Sequence, residues 1–404
     1  MSMTPVDVTS AAFKANPFPF YAQLRAEAPV FPLTVPMPVR RRAWLVTRYD
    51  DVLAVLKDAR FAKNPRNAMS PEQLKKRPWM PPMFKPLERN MLDLDSPDHP
   101  RLRALVHKAF TPRLIEQMRS QIQILTDELL DAVEQKGEMD LIADFALPLP
   151  LTMIGRILGV PAEDNQQFHR WTETFLSAGT NKNYLVLIPT IIRFMAYLKK
   201  LVKGRQAHPK DDLVTALVQA KEGSDQLSDD EVLAMIFLLL VAGHETTVNL
   251  IGSGLLALLE HPDQLQMFRS EPALIKPAIE ELLRFVCPVE MATERYACED
   301  ITVAGTTIPR GELVLAVIGS ANRDEHYFDR PDTLDITREN NRHLAFGQGV
   351  HYCLGAPLAR LEGQIAISTL IQRMPDLRLS VAPEQLRWRG GFILRGLEAL
   401  PASF

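Results

Sequence analysis

Between Ser228 and Pro262 the chain reads SDDEVLAMIFLLLVAGHETTVNLIGSGLLALLEHP. Ser228 and Glu231 have the spacing of a capping box, and apolar residues recur at helical spacing to about Glu260. A helix of that length spans roughly 50 Å. It is apolar on most faces, so it must be surrounded by protein, which demands a large and mainly helical fold. Its middle departs from its flanks. Gly243, His244, Glu245, Thr246 and Thr247 place a carboxylate and two hydroxyls where burial is costly unless they are hydrogen-bonded or hydrated. One account is threonine back-bonding to the preceding turn, with Gly243 as a packing contact. The other is a widened groove in which an acid and an alcohol handle protons, and the concentration of polar groups at the helix centre favours it.

The rest of the chain fits a mainly α fold with a smaller β-containing part. Strands are expected in about 30–65, 286–320 and 377–404, and helices in about 91–285 and 356–375. FYAQLRAEAPVF reads as a helix stopped at Pro29, RRAWLVTRY as a strand and YDDVLAVLKD as a helix. Residues 64–90, with Trp79 and Phe84, read as a long proline-interrupted loop of the kind that carries function. ITVAGTTIPRGELVLAVIGSANRD reads as strands with turns at Gly305 and at Pro309–Gly311, and APLARLEGQIAISTLIQRM as a helix with Pro357 in its first turn. Length alone allows two or three domains, but no linker or repeat marks a joint, so residues 1–404 read as a single domain. Lys and Arg total 46 against 49 Asp and Glu, which leaves no basic excess for nucleic-acid binding. Cys287, Cys298 and Cys353 cannot form a disulfide scaffold and fit a reducing compartment. The first twenty residues lack a signal-peptide pattern, and no window holds roughly 18 unbroken apolar residues. A cytoplasmic protein that engages no membrane is expected.

In HLAFGQGVHYCLG, residues 343–355, three glycines surround a single cysteine just before a helix. Glycines permit close backbone approach, so N–H groups can point at the sulfur, and the helix N-terminus favours thiolate. Such a thiolate suits a nucleophile or an axial ligand to haem iron; a buried core cysteine is the alternative. Cys287 and Cys298 have no such framing and read as core. In PAIEELLRFV, Glu281 and Arg284 are i,i+3 neighbours, and taken alone they read as a solvated surface pair.

Together the three motifs resemble the cytochrome P-450 family of haem-thiolate monooxygenases. The family's haem-binding signature, Phe-Gly-x-Gly-x-His-x-Cys-x-Gly, is matched by Phe346, Gly347, Gly349, His351, Cys353 and Gly355. Its distal-helix signature is matched by Ala242, Gly243, Glu245, Thr246 and Thr247, and its Glu-x-x-Arg pair by Glu281 and Arg284. The likeness runs from WLVTRYDDV to the final strands and is closest to the soluble bacterial branch, with no reductase or ferredoxin fused.

The resemblance implies the P-450 fold and haem b (iron protoporphyrin IX), with the Cys353 thiolate as iron ligand. His99, Arg103, Arg295 and His351 would hold the haem propionates, with Phe346 and Gly355 in the cofactor loop. Arg338 would join Glu281 and Arg284 in a folding triad. The implied reaction inserts one oxygen atom from O2 into a small organic substrate, by hydroxylation or epoxidation, with electrons from a separate ferredoxin or flavodoxin and its reductase. Glu245 and Thr246 would serve proton delivery. Substrate contacts would come from the 64–90 loop, helices near 165–200, and Leu238, Val241, Ala242, Val289, Met291, Phe392 and Ile393. These suit an apolar or amphipathic guest, with plain core packing as the competing account of each. His99, Arg101, Arg103, His107, Lys108, Arg113 and Arg360 would form a basic face for an acidic electron donor. Two other readings stay open. A peroxide-driven peroxygenase is disfavoured by the Glu245–Thr246 pair, and a non-catalytic haem carrier or sensor could dispense with both residues.

Overall fold

The central apolar run forms two helices rather than one. Asp229–Gly243 and Glu245–Leu259 meet at His244, where φ is −112° and ψ −47°. The computed structural model describes residues 6–35, 41–75, 89–164, 166–168, 170–171, 184–222 and 225–404. The capping box is present in both directions: Ser228 Oγ accepts from the Glu231 N–H at 3.3 Å, and Glu231 Oε2 accepts from the Ser228 N–H at 2.8 Å. The break has a local cause. His244 Nδ1 lies 2.7 Å from the Leu240 carbonyl, and the Thr246 hydroxyl donates to the Ala242 carbonyl at 3.1 Å. Side chains that take up carbonyls of the preceding turn bend a helix.

Asp229–Leu259 is long and apolar enough to cross a membrane, with a mean hydropathy of 1.6, yet 56% of that window is buried inside the protein. From Thr247 to Leu258 every residue is buried. Against this second half pack the turn Leu141–Ala146 and the helices Ile275–Val286 and Ala356–Arg373. The approach is close: a β-carbon on Gly363 would meet Leu250 Cδ2 at 3.0 Å. Each fully buried leucine or isoleucine here contributes about 1.5–3 kcal/mol relative to exposure, so this layer carries much of the stability.

A five-stranded sheet, most of whose buried residues belong to two further core clusters, has the order Val30–Val35, Arg41–Val46, Leu313–Ala316, Arg295–Ala297, Phe61–Ala62. Only the Arg41–Val46 to Leu313–Ala316 pairing is parallel, with Leu45 opposite Leu315. The expected turns are present: Ile301–Val303 pairs with Thr306–Ile308 across Ala304 and Gly305, and Gly311 has a φ of 78°.

The first long helix, Phe18–Glu27, does stop as expected, at the Ala28 cap directly before Pro29, because a residue preceding proline avoids helical geometry. Several other expectations need correction. Glu138–Asp140, inside the span read as helical, is a strand paired with Pro401–Ser403, and Lys221–Glu222 forms a hairpin with Asp225–Gln226. The 64–90 segment holds the short helices Pro65–Ala68 and Pro71–Lys75. Residues 76–88, including Trp79 and Phe84, lie outside the described residues, as do 172–183 near the helix Tyr184–Ala207.

Candidate active site

The cysteine loop is built by hydrogen bonds between its own backbone groups. The Gly347 N–H donates to the Leu344 carbonyl at 2.8 Å, and the Cys353 N–H to the Phe346 carbonyl at 2.9 Å. Gly349 has a φ of 76°, and a β-carbon there would lie 2.9 Å from the Leu56 carbonyl oxygen, so no larger residue fits. Gly355 caps the helix Ala356–Arg373. Cys353 is exposed, yet protein is dense around it. Burial raises the thiol pKa, while N–H groups of Gly355 and Ala356 and the cations Arg103 and Arg360 oppose that rise. The loop's N–H groups and nearby cations thus act in the direction the sequence predicts, and burial acts against them. Cys287 is buried core, its thiol pushed up to about 12 by burial, and Cys298 is half-buried.

Two consecutive glutamates tie this loop to the helix Ile275–Val286. Glu280 accepts from Arg360 at 2.7 and 2.8 Å and lies 3.0 Å from His343 Nε2. Burial opposes its ionisation, but hydrogen bonds from Arg360 and His343 hold its pKa at about 2. Glu281 accepts from Arg284 at 2.7 and 2.8 Å, from Arg338 at 3.1 Å and from Asn341 at 3.1 Å. Both Glu281 and Arg284 are 0% exposed, which overturns the solvated-pair reading and brings Arg338 into the expected network.

Beside the loop, cationic groups collect. His99 and Arg295 are buried, and the rings of His99 and His351 are 4.1 Å apart. Arg103 donates to the Tyr352 carbonyl at 2.7 Å. Burial, His99, Arg295, Lys63 and Arg103 together push the His351 pKa down to about 2. His99 Nε2 and Arg295 Nε are buried polar nitrogens with no partner among the described residues, and the arginine nitrogen is a donor. An exposed cysteine at a helix N-terminus, flanked by basic groups with unused buried nitrogens, fits an iron porphyrin bearing two carboxylates.

The break in the central helix presents a second group of polar side chains. Burial raises the Glu245 pKa, and Arg389, whose Nη1 lies 3.7 Å from Glu245 Oε1, opposes it. Thr247 faces away, 2% exposed, and hydrogen-bonds Glu362. Of the apolar candidates, Ala242 is exposed and Leu238, Val241, Val289 and Ile393 are half-buried. Met291 is 0% and Phe392 7% exposed, both packed in the cluster around Tyr21 and Leu24, so plain packing describes those two. Ile393 lines a cavity of about 830 Å3 with Lys63, Thr293 and Tyr296.

The basic face is also smaller than expected. Arg101 is paired with Asp225 and Glu231, Arg360 with Glu280, and His99 is buried. Lys63, Glu280, Glu362 and Arg389 were not singled out from sequence. Glu362 had a readable signal, a carboxylate within the apolar stripe of a helix; the others depend on tertiary contacts.

Comparisons with known proteins agree with this geometry. Residues 191–385 match the family model described as Cytochrome P-450. The chain is 44% identical over 401 residues to a polyketide biosynthesis cytochrome P-450, PksS, of Bacillus subtilis strain 168, covering 97% of this chain and 96% of that one. It is 42% identical to a vitamin D(3) 25-hydroxylase of Pseudonocardia autotrophica, covering 98% of each. The solved PksS structure superposes with a TM-score of 0.91 at 43% identity, over 100% of this chain and 99% of that one. P-450 BioI, solved in complex with hexadec-9Z-enoic acid ligated acyl carrier protein, gives 0.86 at 41% identity, over 98% and 100%. By this identity over nearly its whole length and by the superposition, the chain belongs to the cytochrome P-450 family of haem b monooxygenases.

Proposed function

We propose that this enzyme hydroxylates or epoxidises an apolar or amphipathic organic molecule in the cytoplasm, drawing electrons from a ferredoxin or flavodoxin and its reductase. The observation that carries the reading is the presentation of an exposed Cys353 on the N–H groups of Gly355 and Ala356, beside basic groups with unused buried nitrogens. When bound, haem b supplies the redox chemistry that activates dioxygen. Cys353 would ligate its iron, His99, Arg103, Arg295 and His351 would hold its carboxylates, and Phe346 and Gly355 would shape the loop beneath it. Glu245 is poised between its neutral form, favoured by burial, and its carboxylate, favoured by Arg389, which suits a group that passes protons. Thr246, hydrogen-bonded to the Ala242 carbonyl, can turn its hydroxyl from that carbonyl toward the reacting side. Leu238, Val241, Ala242, Val289 and Ile393 would contact the substrate, with Met291 and Phe392 behind them. Relatives named for polyketide biosynthesis and vitamin D(3) hydroxylation, and one holding a carrier-bound fatty acyl chain, support a guest of this chemistry.

Reduced protein under carbon monoxide should show the red-shifted Soret band of thiolate ligation. Cys353→His should abolish it, whereas Cys287→Ala and Cys298→Ala should keep it. A normal band in Cys353→Ala would sink the reading. Turnover with a surrogate ferredoxin system, compared with peroxide alone, separates a monooxygenase from a peroxygenase and from a carrier. Soret shifts across a compound library then identify the substrate class.

A further inference from the structure

Lys63 follows directly on the short strand Phe61–Ala62 and is 5% exposed. Its Nζ donates to Thr293 Oγ1 at 2.5 Å and to the Glu294 carbonyl at 2.9 Å. An ammonium carries three donors, and the third has no partner among the described residues. Both acceptors are neutral, and a buried ammonium held by neutral oxygens alone is costly.

The carboxylates that act on Lys63 are committed elsewhere. Asp95 accepts from the backbone N–H groups of Lys63 and Asn64 at 2.8 and 2.9 Å and from the Asn67 amide at 2.8 Å. Asp93 accepts from the Asn90 amide, and Glu294 from Arg41 and the Tyr296 hydroxyl. Arg295 stands nearby, and its Nε is buried with no partner among the described residues. Lys63 lines the cavity of about 830 Å3 that reaches Ile393. Two neighbouring buried cations, Lys63 and Arg295, each with an N–H left unused among the described residues, call for an anion.

We propose that Lys63 is a further ligand of the haem carboxylates, a fifth group beside His99, Arg103, Arg295 and His351, donating its third N–H to a carboxylate oxygen. The proposal rests on the haem reading of the site. It also accounts for a conflict in the bare chain, where burial pulls the Lys63 pKa down to about 7. A carboxylate beside the ammonium restores its charged form.

The test follows haem leaving the loaded protein for excess apomyoglobin, read in the Soret region. Lys63→Met keeps the apolar stem and removes the charge. Its haem should leave about tenfold faster or more, the loss expected for one charge-assisted bond to a carboxylate. Lys63→Arg restores a donor and should return the rate to within about threefold of wild type. The same proteins carrying haem dimethyl ester distinguish a contact with the carboxylates from a general weakening of the pocket. With both carboxylates esterified, Lys63→Met and wild type should release the cofactor at one rate. Equal release of ordinary haem overturns the proposal, and so does a difference that persists with the ester. If Lys63→Met does not fold, Lys63→Gln carries the same comparison. Wild-type protein that takes up no haem would instead overturn the haem reading beneath it.

Discussion

Thr246 and Thr247 are adjacent in sequence and opposite in setting, because one residue turns the side chain about 100° around a helix. Thr246 bonds the Ala242 carbonyl on the accessible side of the break, and Thr247 is buried against Glu362. Thr246→Val removes the hydroxyl and nearly keeps the shape. Product formed per reducing equivalent should fall by roughly tenfold, with the lost flux appearing as peroxide and substrate binding unchanged. Thr247→Val should couple more normally; equal coupling in Thr246→Val and wild type would leave Thr246 as packing. Glu362 makes a separate prediction. Burial raises its pKa to about 8, against the bond from Thr247. Because the folded value lies above the unfolded one of about 4.5, the stability it contributes is full at acid pH and is lost as pH rises through about 8. Glu362→Gln stays neutral, so its thermal midpoint should match wild type at pH 5 and exceed it at pH 9. Parallel curves across that range would mean that Glu362 is already ionised in the fold. Periodicity shows where polar residues interrupt apolar ones and the resemblance singles out Thr246, but which of the two hydroxyls is buried is read from the fold.

The central helix shows what periodicity can and cannot report. Apolar spacing records which faces are buried, and it is indifferent to whether each carbonyl keeps its backbone partner. The break at His244 depends on side chains taking the Leu240 and Ala242 carbonyls, so the run reads as continuous although its polar centre was visible. The Glu281–Arg284 pair is a similar case. Spacing of i,i+3 is identical on a surface and in a core, and what decides is remote. Arg284 also donates to the carbonyls of Asn322, Pro331 and Thr333, and Glu281 gathers Arg338 and Asn341. Arg284→Ala would leave a buried carboxylate without its bidentate partner, at a cost of about 3–5 kcal/mol. Arg284→Lys should rescue little, since a point ammonium cannot reproduce the planar fork. Urea unfolding and the yield of the carbon monoxide band measure both variants, and a near-wild-type midpoint for Arg284→Ala would show that the network is dispensable for stability.

At the scale of the molecule, sequence gave the class of fold and left the distant pairings open. Glu138–Asp140 finds its partner at Pro401–Ser403, across a separation no local pattern encodes. The same long-range pairing reshapes the expected basic face. Arg101 is neutralised by Asp225 and Glu231, and Arg360 by Glu280, while Arg103 is half-buried on the Tyr352 carbonyl. What stays exposed is His107, Lys108 and Arg113, at the end of the helix Asp98–Ala109 and the start of Pro112–Gln117. Charge on this smaller face would steer an acidic donor chiefly through the rate of encounter. Arg113→Glu should therefore slow reduction by an acidic ferredoxin severalfold at low ionic strength. The deficit should shrink as salt approaches 0.15 M, where the screening length is about 8 Å. Arg101→Glu should behave differently: it sets a third carboxylate against Asp225 and Glu231, so stability falls at every salt concentration tested. Stopped-flow reduction across a salt series, with the thermal midpoint measured alongside, separates the two effects. Unchanged kinetics for Arg113→Glu at low salt would place the electron donor on another face.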